Sequence, residues 1–163
     1  MSDVFISYSR KDADVASRLL ERLKNDHASV FMDQTSLVAG EDFSKITQQQ
    51  LKDAKIVLVI LSENSVRSGW VQEELRYALN AGESKRIIPI LLDESAKDNW
   101  VWPLVANRQP KSIRFEHIDR DIKEIVDDLT SLNRHSRRLR LATWVAFLLA
   151  ILSLAFTCLS FFR

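Results

Sequence analysis

The sequence places an aromatic side chain and a carboxylate four residues apart, at Trp70 and Glu74. On a helix, residues at this spacing share one face, and the surrounding sequence predicts a helix here. An aromatic ring beside a carboxylate excludes water, which raises the carboxylate pKa, and it can wall a pocket for a flat ring. The same spacing is equally typical of a tryptophan that simply packs at the start of a helix.

Several kinds of chemistry have no matching motif in this sequence. The three glycines form neither a G-x-G-x-x-G nor a Walker A sequence, and no G-x-S-x-G nucleophile elbow is present. The histidines are scattered and there is one cysteine, Cys158, so no familiar zinc spacing occurs. We therefore expect no metal and no bound cofactor, and any catalysis must rely on carboxylates and arginines.

Strand-like and helix-like segments alternate through residues 1–132. Short apolar runs predict five strands, at 3–8, 29–32, 55–61, 86–92 and 112–115. The third run is apolar almost throughout, as is typical of a central parallel strand covered on both faces. Pro89 predicts that the fourth strand is irregular or near an edge, because proline cannot donate to a ladder.

Apolar residues at helical spacing predict the helices between these strands. They lie at 11–25, at 41–53 with Phe43, Ile46 and Leu51 facing inward, at 68–81 with Ser68 as N-cap, and from 118 onward. The alternation predicts an α/β fold, a flavodoxin-like five-stranded parallel sheet of order 2-1-3-4-5 with helices on both faces. Ligands of such sheets bind at the carboxyl ends of the strands, near the point where the strand order reverses.

Function is therefore expected in the segments 9–14, 33–41 and 62–74. Besides Glu74, the acidic residues near this edge are Asp12, Asp33, Glu41 and Glu73. Glu73 and Glu74 are adjacent on the predicted helix, so at most one of them can face the crevice. For any one of these carboxylates, a solvated surface position is the ordinary alternative.

Residues 141–162 contain no charged side chain. At about 1.5 Å per residue, a helix of this length crosses a hydrocarbon core of about 30 Å. Arginines cluster at 133–140, just before this segment, and basic residues favour the cytoplasmic side. The sequence predicts a cytosolic domain at 1–132, a basic juxtamembrane linker at 133–140 that contacts lipid headgroups, and a single transmembrane helix at 141–162.

The net charge of +1 conceals an asymmetry along the chain. All 22 Asp and Glu residues precede residue 134, whereas the charged residues that follow are all arginines. The predicted cytosolic domain is thus acidic, which argues against nucleic acid as its partner. No apolar stretch opens the sequence, so we expect no secretory signal and a domain that faces the cytoplasm.

Four ordered segments resemble the conserved boxes of TIR (Toll/interleukin-1 receptor/resistance) domains. They are DVFISYSRKD at 3–12, VFMD with LVAGEDF at 30–43, IVLVILS with SGWVQEEL at 56–75, and IIPI at 87–90. The second segment looks like the family's second strand and BB loop. The resemblance covers about residues 1–130 and implies the TIR fold.

Many TIR domains cleave NAD+ at the nicotinamide–ribose bond with a glutamate that lies four positions after a frequent tryptophan. The resemblance implies that Glu74 is the catalytic residue and that Trp70, Ser9, Arg10 and Val38 contact the substrate. Phe43 either stacks on the substrate or packs in the core. Val38 departs from the family, because its position is acidic in some NAD-cleaving relatives. NAD+ is here a substrate, and no metal is required.

Two hypotheses from different classes follow. The first is a membrane-anchored NAD+ hydrolase of the ADP-ribosyl cyclase or hydrolase type, which acts when TIR domains self-associate. The architecture further suggests a bacterial role in antiviral defence, with a separate sensor or activator. The second is a non-enzymatic TIR adaptor that recruits other TIR domains at the membrane.

Overall fold

A computed structural model describes residues 3–26, 28–32, 43–82 and 85–131, without the side chains of residues 43 and 44. Its centre is a parallel sheet of five strands in the order β2-β1-β3-β4-β5. The strands are β1 Val4–Ser7, β2 Val30–Met32, β3 Ile56–Leu61, β4 Arg86–Leu91 and β5 Lys111–Ser112. The predicted fold class and strand order are confirmed.

The two central strands are buried because their side chains are apolar on both faces. All four residues of β1 and the last five of β3 are buried. On one face, Phe5 joins Val57, Val59 and Leu61 in a single apolar cluster. Because successive side chains of a strand point to opposite faces, the intervening residues of β3 lie on the other face. The fully buried Leu58 is one of them. Such a strand needs helices on both sides.

Six helices surround the sheet in the described residues. They are α1 Ala13–Asn25, α2 Phe43–Asp53, α3 Glu63–Val66, α4 Gly69–Asn80, α5 Trp102–Val105, and α6 at 118–131. The predicted start of the first helix was early, because Arg10–Asp12 form a separate 3₁₀ turn. Ser68 caps α4 as predicted, with its hydroxyl accepting the backbone N–H of Val71 at 3.5 Å.

Helix α4 carries the predicted aromatic–carboxylate pair. It packs Val71, Leu75 and Ala78 into the apolar cluster below the sheet. The helix ends where Gly82 adopts a positive φ of 68°, a backbone conformation that glycine takes without strain. These apolar anchors fix the rotation of α4 and hence the direction in which its polar residues point.

Helix α2 is rotated relative to the prediction. Ile46 is 61% exposed, so its predicted inward orientation was wrong. Thr47, Leu51 and Ala54 are buried instead. Because successive helical residues are about 100° apart, a face centred on Thr47 and Leu51 leaves Ile46 outside.

Pro89 lies near an edge, as one of its two predicted placements had it, because β4 is flanked only by the short edge strand β5 on one side and pairs in regular register with β3 on the other. Arg86 and Leu92 both donate their backbone N–H to the β3 side. Since N–H groups alternate in direction along a strand, the Pro89 nitrogen faces β5. The β5 strand pairs only from Ile90 onward, so the missing donor removes no bond from the ladder.

A buried lysine, Lys85, closes the carboxyl end of α2. Its Nζ donates to the backbone carbonyl oxygens of Lys52 and Ala54, each at 2.7 Å. Burial lowers the pKa of Lys85, and the nearby Asp53 partly offsets this. The lysine thus satisfies carbonyls that a helix end leaves without an intrahelical donor.

The chain divides into two compact units, residues 1–126 and 127–163. Of the second unit, only the end of α6 at 127–131 is described. The predicted linker at 133–140 and transmembrane helix at 141–162 lie outside the described residues. Among the helices that are described, none has the length and apolar character needed to span a membrane.

Candidate functional site

A cleft of about 700 Å³ opens beside β1 and β3, where the strand order reverses. One side is formed by the end of β1 and the turn that follows it, and the other by α3 and α4. Its principal polar and aromatic lining residues are Tyr8, Ser9, Arg10, Lys11, Glu63, Asn64, Arg67, Ser68, Trp70 and Glu74. Four predicted site residues, from two distant parts of the sequence, thus meet at one cleft.

The buried carboxylate in the cleft lining belongs to Glu74, which is only 5% exposed. Its neighbour Glu73 is exposed, so one member of the adjacent pair faces the cleft. Trp70, one helical turn earlier, lines the same cleft and is half-buried. The arrangement offers a carboxylate with little access to bulk water and an indole beside it.

Basic side chains lie on both sides of the cleft. Arg10 and Lys11, in the turn after β1, are exposed and line it. Arg67 lies opposite, where its guanidinium pairs with the Glu63 carboxylate at 2.7 Å. Such cations can contact phosphate oxygens of a bound nucleotide. The cleft therefore combines a buried carboxylate with groups suited to an anionic ligand.

The carboxylate of Asp12 is held by other protein groups, behind the cleft. Asp12 is 8% exposed and accepts hydrogen bonds from Ser62 Oγ at 2.6 Å and from Asn64 Nδ2 at 2.8 Å. It lies outside the lining of the cleft. This carboxylate thus joins the turn after β1 to the start of α3.

Sequence reasoning did not single out Tyr8, Lys11, Asn64 or Arg67, which line the cleft. Lys11, Asn64 and Arg67 fall in segments that were predicted to be functional from the topology of the sheet, whereas Tyr8 was assigned to the first strand. Their residue types gave no further signal, because lysine, asparagine and arginine are ordinary on any loop. Only the way the loops fold against each other selects them.

Two predicted substrate contacts cannot be placed in the cleft. Val38, like Asp33 and Glu41, lies outside the described residues, and Phe43 is described only as the first backbone position of α2. Their roles stay predictions. Within the described ranges, no three His, Cys, Asp or Glu side chains lie close enough together to hold a metal ion.

The doubly wound parallel sheet, with a cleft where its strand order reverses, makes this a flavodoxin-like α/β protein. A family model described as "TIR domain" matches residues 4–129. The chain belongs to that family, as its sequence motifs predicted.

Curated relatives with named activities are similar to this chain. The "NAD(+) hydrolase PdTIR" of Paracoccus denitrificans is 29% identical over 138 residues, which cover 81% of this chain and 44% of that protein. The "Probable 2' cyclic ADP-D-ribose synthase TcpO" of Methanobrevibacter olleyae is 26% identical over 132 residues, with 77% and 39% covered. The chain thus spans less than half the length of these relatives.

Solved structures share the fold at low sequence identity. The TIR domain of the Toll-related receptor TRR-2 from Hydra magnipapillata superposes with a TM-score of 0.58 at 19% identity. The match covers 84% of this chain and 99% of that domain. This likeness shows the fold alone, so the activity must be argued from the cleft.

Proposed function

We propose that the chain is an NAD+ glycohydrolase that cleaves the nicotinamide–ribose bond. The observation that carries the proposal is the cleft shared by Glu74, Trp70 and the basic turn after β1. A buried carboxylate, an aromatic wall and cations near one another match the three parts of a dinucleotide. These are the ribose, the flat nicotinamide ring and the pyrophosphate.

The chemistry needs little from the protein beyond positioning and charge. Nicotinamide in NAD+ already carries a positive charge, so it departs without being protonated. Its departure leaves a ribose with oxocarbenium character, which a nearby carboxylate stabilises as the charge develops. In this proposal Glu74 accepts hydrogen bonds from the ribose hydroxyls and provides that negative charge.

The product is ADP-ribose or a cyclised form of it. Water attack on the ribosyl cation gives the first, and attack by an atom of the same nucleotide gives the second. The names of the curated relatives include both a hydrolase and cyclic ADP-ribose synthases. Their similarity supports the class of reaction, with either fate for the ribosyl group.

The proposal extends to the location of the enzyme. Residues 141–162 form an anchor, with the TIR domain facing the cytoplasm and the arginines of 133–140 at anionic headgroups. Confinement to a membrane raises the effective concentration of the domain. Self-association of TIR domains, started by a separate sensor or activator, then switches the activity on in antiviral defence.

The decisive experiment replaces Glu74 with Gln and with Ala in full-length protein clustered on liposomes. Both changes should reduce NAD+ consumption by at least about 100-fold, the size expected for loss of one charge-stabilising group. Glu73→Gln, which alters an exposed neighbour on the same helix, should behave like the wild type. Cleavage that survives Glu74→Ala would exclude Glu74 as the catalytic residue.

The second candidate is a non-enzymatic adaptor that recruits other TIR domains. An apolar side chain, Ile46, is 61% exposed on α2, soon after the segment that resembles the BB loop. Such a residue suits a contact between domains. Wild-type protein that self-associates on liposomes but consumes no NAD+ would establish this alternative.

A further inference from the structure

We infer that Asp12 is a positioning residue for the cleft. Its carboxylate binds Ser62 and Asn64 and so holds together the two sides that enclose the substrate. The inference rests on the proposed function, because it assigns Asp12 a role in binding the nucleotide. Its structural basis is a buried hydrogen-bond network that joins two segments about fifty positions apart.

The first part of the network fixes the end of β3. The Ser62 hydroxyl oxygen accepts the backbone N–H groups of Asn64 and Ser65, both at 3.1 Å. The Ser62 N–H in turn donates to Ser65 Oγ at 2.8 Å, which completes a reciprocal cap on α3. With both lone pairs of its hydroxyl engaged, Ser62 can use that hydroxyl toward Asp12 only as a donor.

The second part joins this cap to the turn after β1. One Asp12 carboxylate oxygen accepts the Ser62 hydroxyl at 2.6 Å, and the other accepts the Asn64 amide at 2.8 Å. The Asp12 backbone N–H donates to the Ser9 carbonyl at 2.7 Å, which closes the turn. Hydrogen bonds to a charged and buried acceptor are stronger than neutral ones.

The positions of these groups relate the network to binding. Arg10 and Lys11 lie in the turn that Asp12 closes, and Asn64 and Arg67 lie on or next to the helix that Ser62 caps. Asp12 itself lies outside the cleft lining. Its carboxylate therefore does not touch the substrate but holds in place the groups that do, which lowers the ordering cost of binding.

The test compares steady-state NAD+ cleavage by the full chain, clustered on liposomes, for the wild type and a set of variants. Asp12→Ala removes both contacts and should raise KM about 10-fold, with kcat changed by less than about 3-fold. Asp12→Asn should restore most of the loss. The new amide can accept from Ser62 and donate to Asn64 after the Asn64 amide turns over. Asp14→Asn, at an exposed position of α1, is the matched control and should retain the wild-type KM.

A reversal of polarity tests the Asp12–Asn64 contact without leaving a cavity. Asn64→Asp places two carboxylates in contact and should raise KM. Adding Asp12→Asn to Asn64→Asp recreates a donor–acceptor pair and should recover the slow hydrogen exchange of residues 9–12 and 62–67 that Asn64→Asp alone loses. This comparison remains available if Asp12→Ala fails to fold.

Three results would overturn the inference: an unchanged KM in Asp12→Ala, a loss in Asp12→Asn as large as in Asp12→Ala, or no recovery in the double variant. A wild type that consumes no NAD+ contradicts the proposed function instead. In that case, hydrogen exchange provides a separate readout of the network. Residues 9–12 and 62–67 should exchange faster in Asp12→Ala than in Asp14→Asn, and equal exchange would exclude a positioning role.

Discussion

Arg114 and Asp121 form a forked ion pair, with guanidinium Nε and one terminal nitrogen each 3.0 Å from a different carboxylate oxygen. The Arg114 backbone N–H donates to the same carboxylate at 3.1 Å. Asp121 is only 3% exposed. The pair joins the residues after β5 to the first turns of α6.

This pair predicts a specific pH dependence of stability. Hydrogen bonds from Arg114 hold the pKa of Asp121 well below its ordinary value of 3.8. A carboxyl group whose pKa is lower in the folded state binds fewer protons than in the unfolded chain. Its contribution is therefore complete above about pH 4 and is lost as the pH falls below that value.

Asp121→Asn should lower the midpoint of urea unfolding at pH 7 and have a smaller effect at pH 3. Urea unfolding of the folded domain, followed by circular dichroism at both pH values, measures this difference. Asp119→Asn is the control, because Asp119 is exposed and meets Arg18 at 3.4 Å. An Asp121→Asn effect that is equal at the two pH values would contradict the assigned ion pair.

The buried Lys85 provides a second stability prediction. Lys85→Met keeps the length of the side chain but leaves the carbonyls of Lys52 and Ala54 without their donor. We expect a loss of about 1–3 kcal/mol in the free energy of unfolding. Lys55→Met is the matched control, since Lys55 makes an exposed ion pair with Asp3 and should cost much less. Equal losses in the two variants would refute the capping role.

The sequence predicted the sheet well because its signals are local. The apolar run of β3 and the helical spacing of apolar residues in α4 can each be recognised within one short segment. Their burial depends on few partners. The rotation of α2 about its axis was harder to predict from the sequence. Ile46 and Thr47 are adjacent, and only the packing of the helix decides which of the two side chains is buried. Pro89 indicated a nearby edge, and its nitrogen does face the side of β4 where β5 pairs only from Ile90 onward.

The site was predictable where one helix carries the pattern, as with Trp70 and Glu74. It was not predictable where two loops meet. Asp12 was one of several candidate acids, and nothing in its type indicated that its carboxylate binds Ser62 and Asn64. Contacts between residues fifty positions apart arise from strand order, so they become visible only once the loops are placed.

Trp70 should contribute to substrate binding through its ring. Trp70→Ala should lower kcat/KM for NAD+ cleavage by about 10-fold or more, whereas Trp70→Phe should retain most of the activity because an aromatic face remains. Trp100→Ala is a suitable control, because Trp100 is 41% exposed and absent from the cleft lining. Steady-state kinetics measure all three variants. Equal losses in Trp70→Ala and Trp70→Phe would indicate that packing of the full indole, and not stacking on the substrate, is what matters.

The proposed anchor predicts how activity responds to protein concentration. A chain that ends at residue 132 keeps all the described elements and should consume NAD+ only at high concentration, because its assembly is no longer confined to a surface. Full-length protein on liposomes should remain active when the bulk concentration is lowered about 100-fold. A truncated chain carrying a hexahistidine tag, bound to nickel-chelating lipid, should recover the full-length behaviour if membrane confinement is the function of residues 141–162. At low concentration, the untagged truncated chain and the anchored protein could instead have equal specific activity. In that case residues 141–162 would serve only to locate the domain at the membrane.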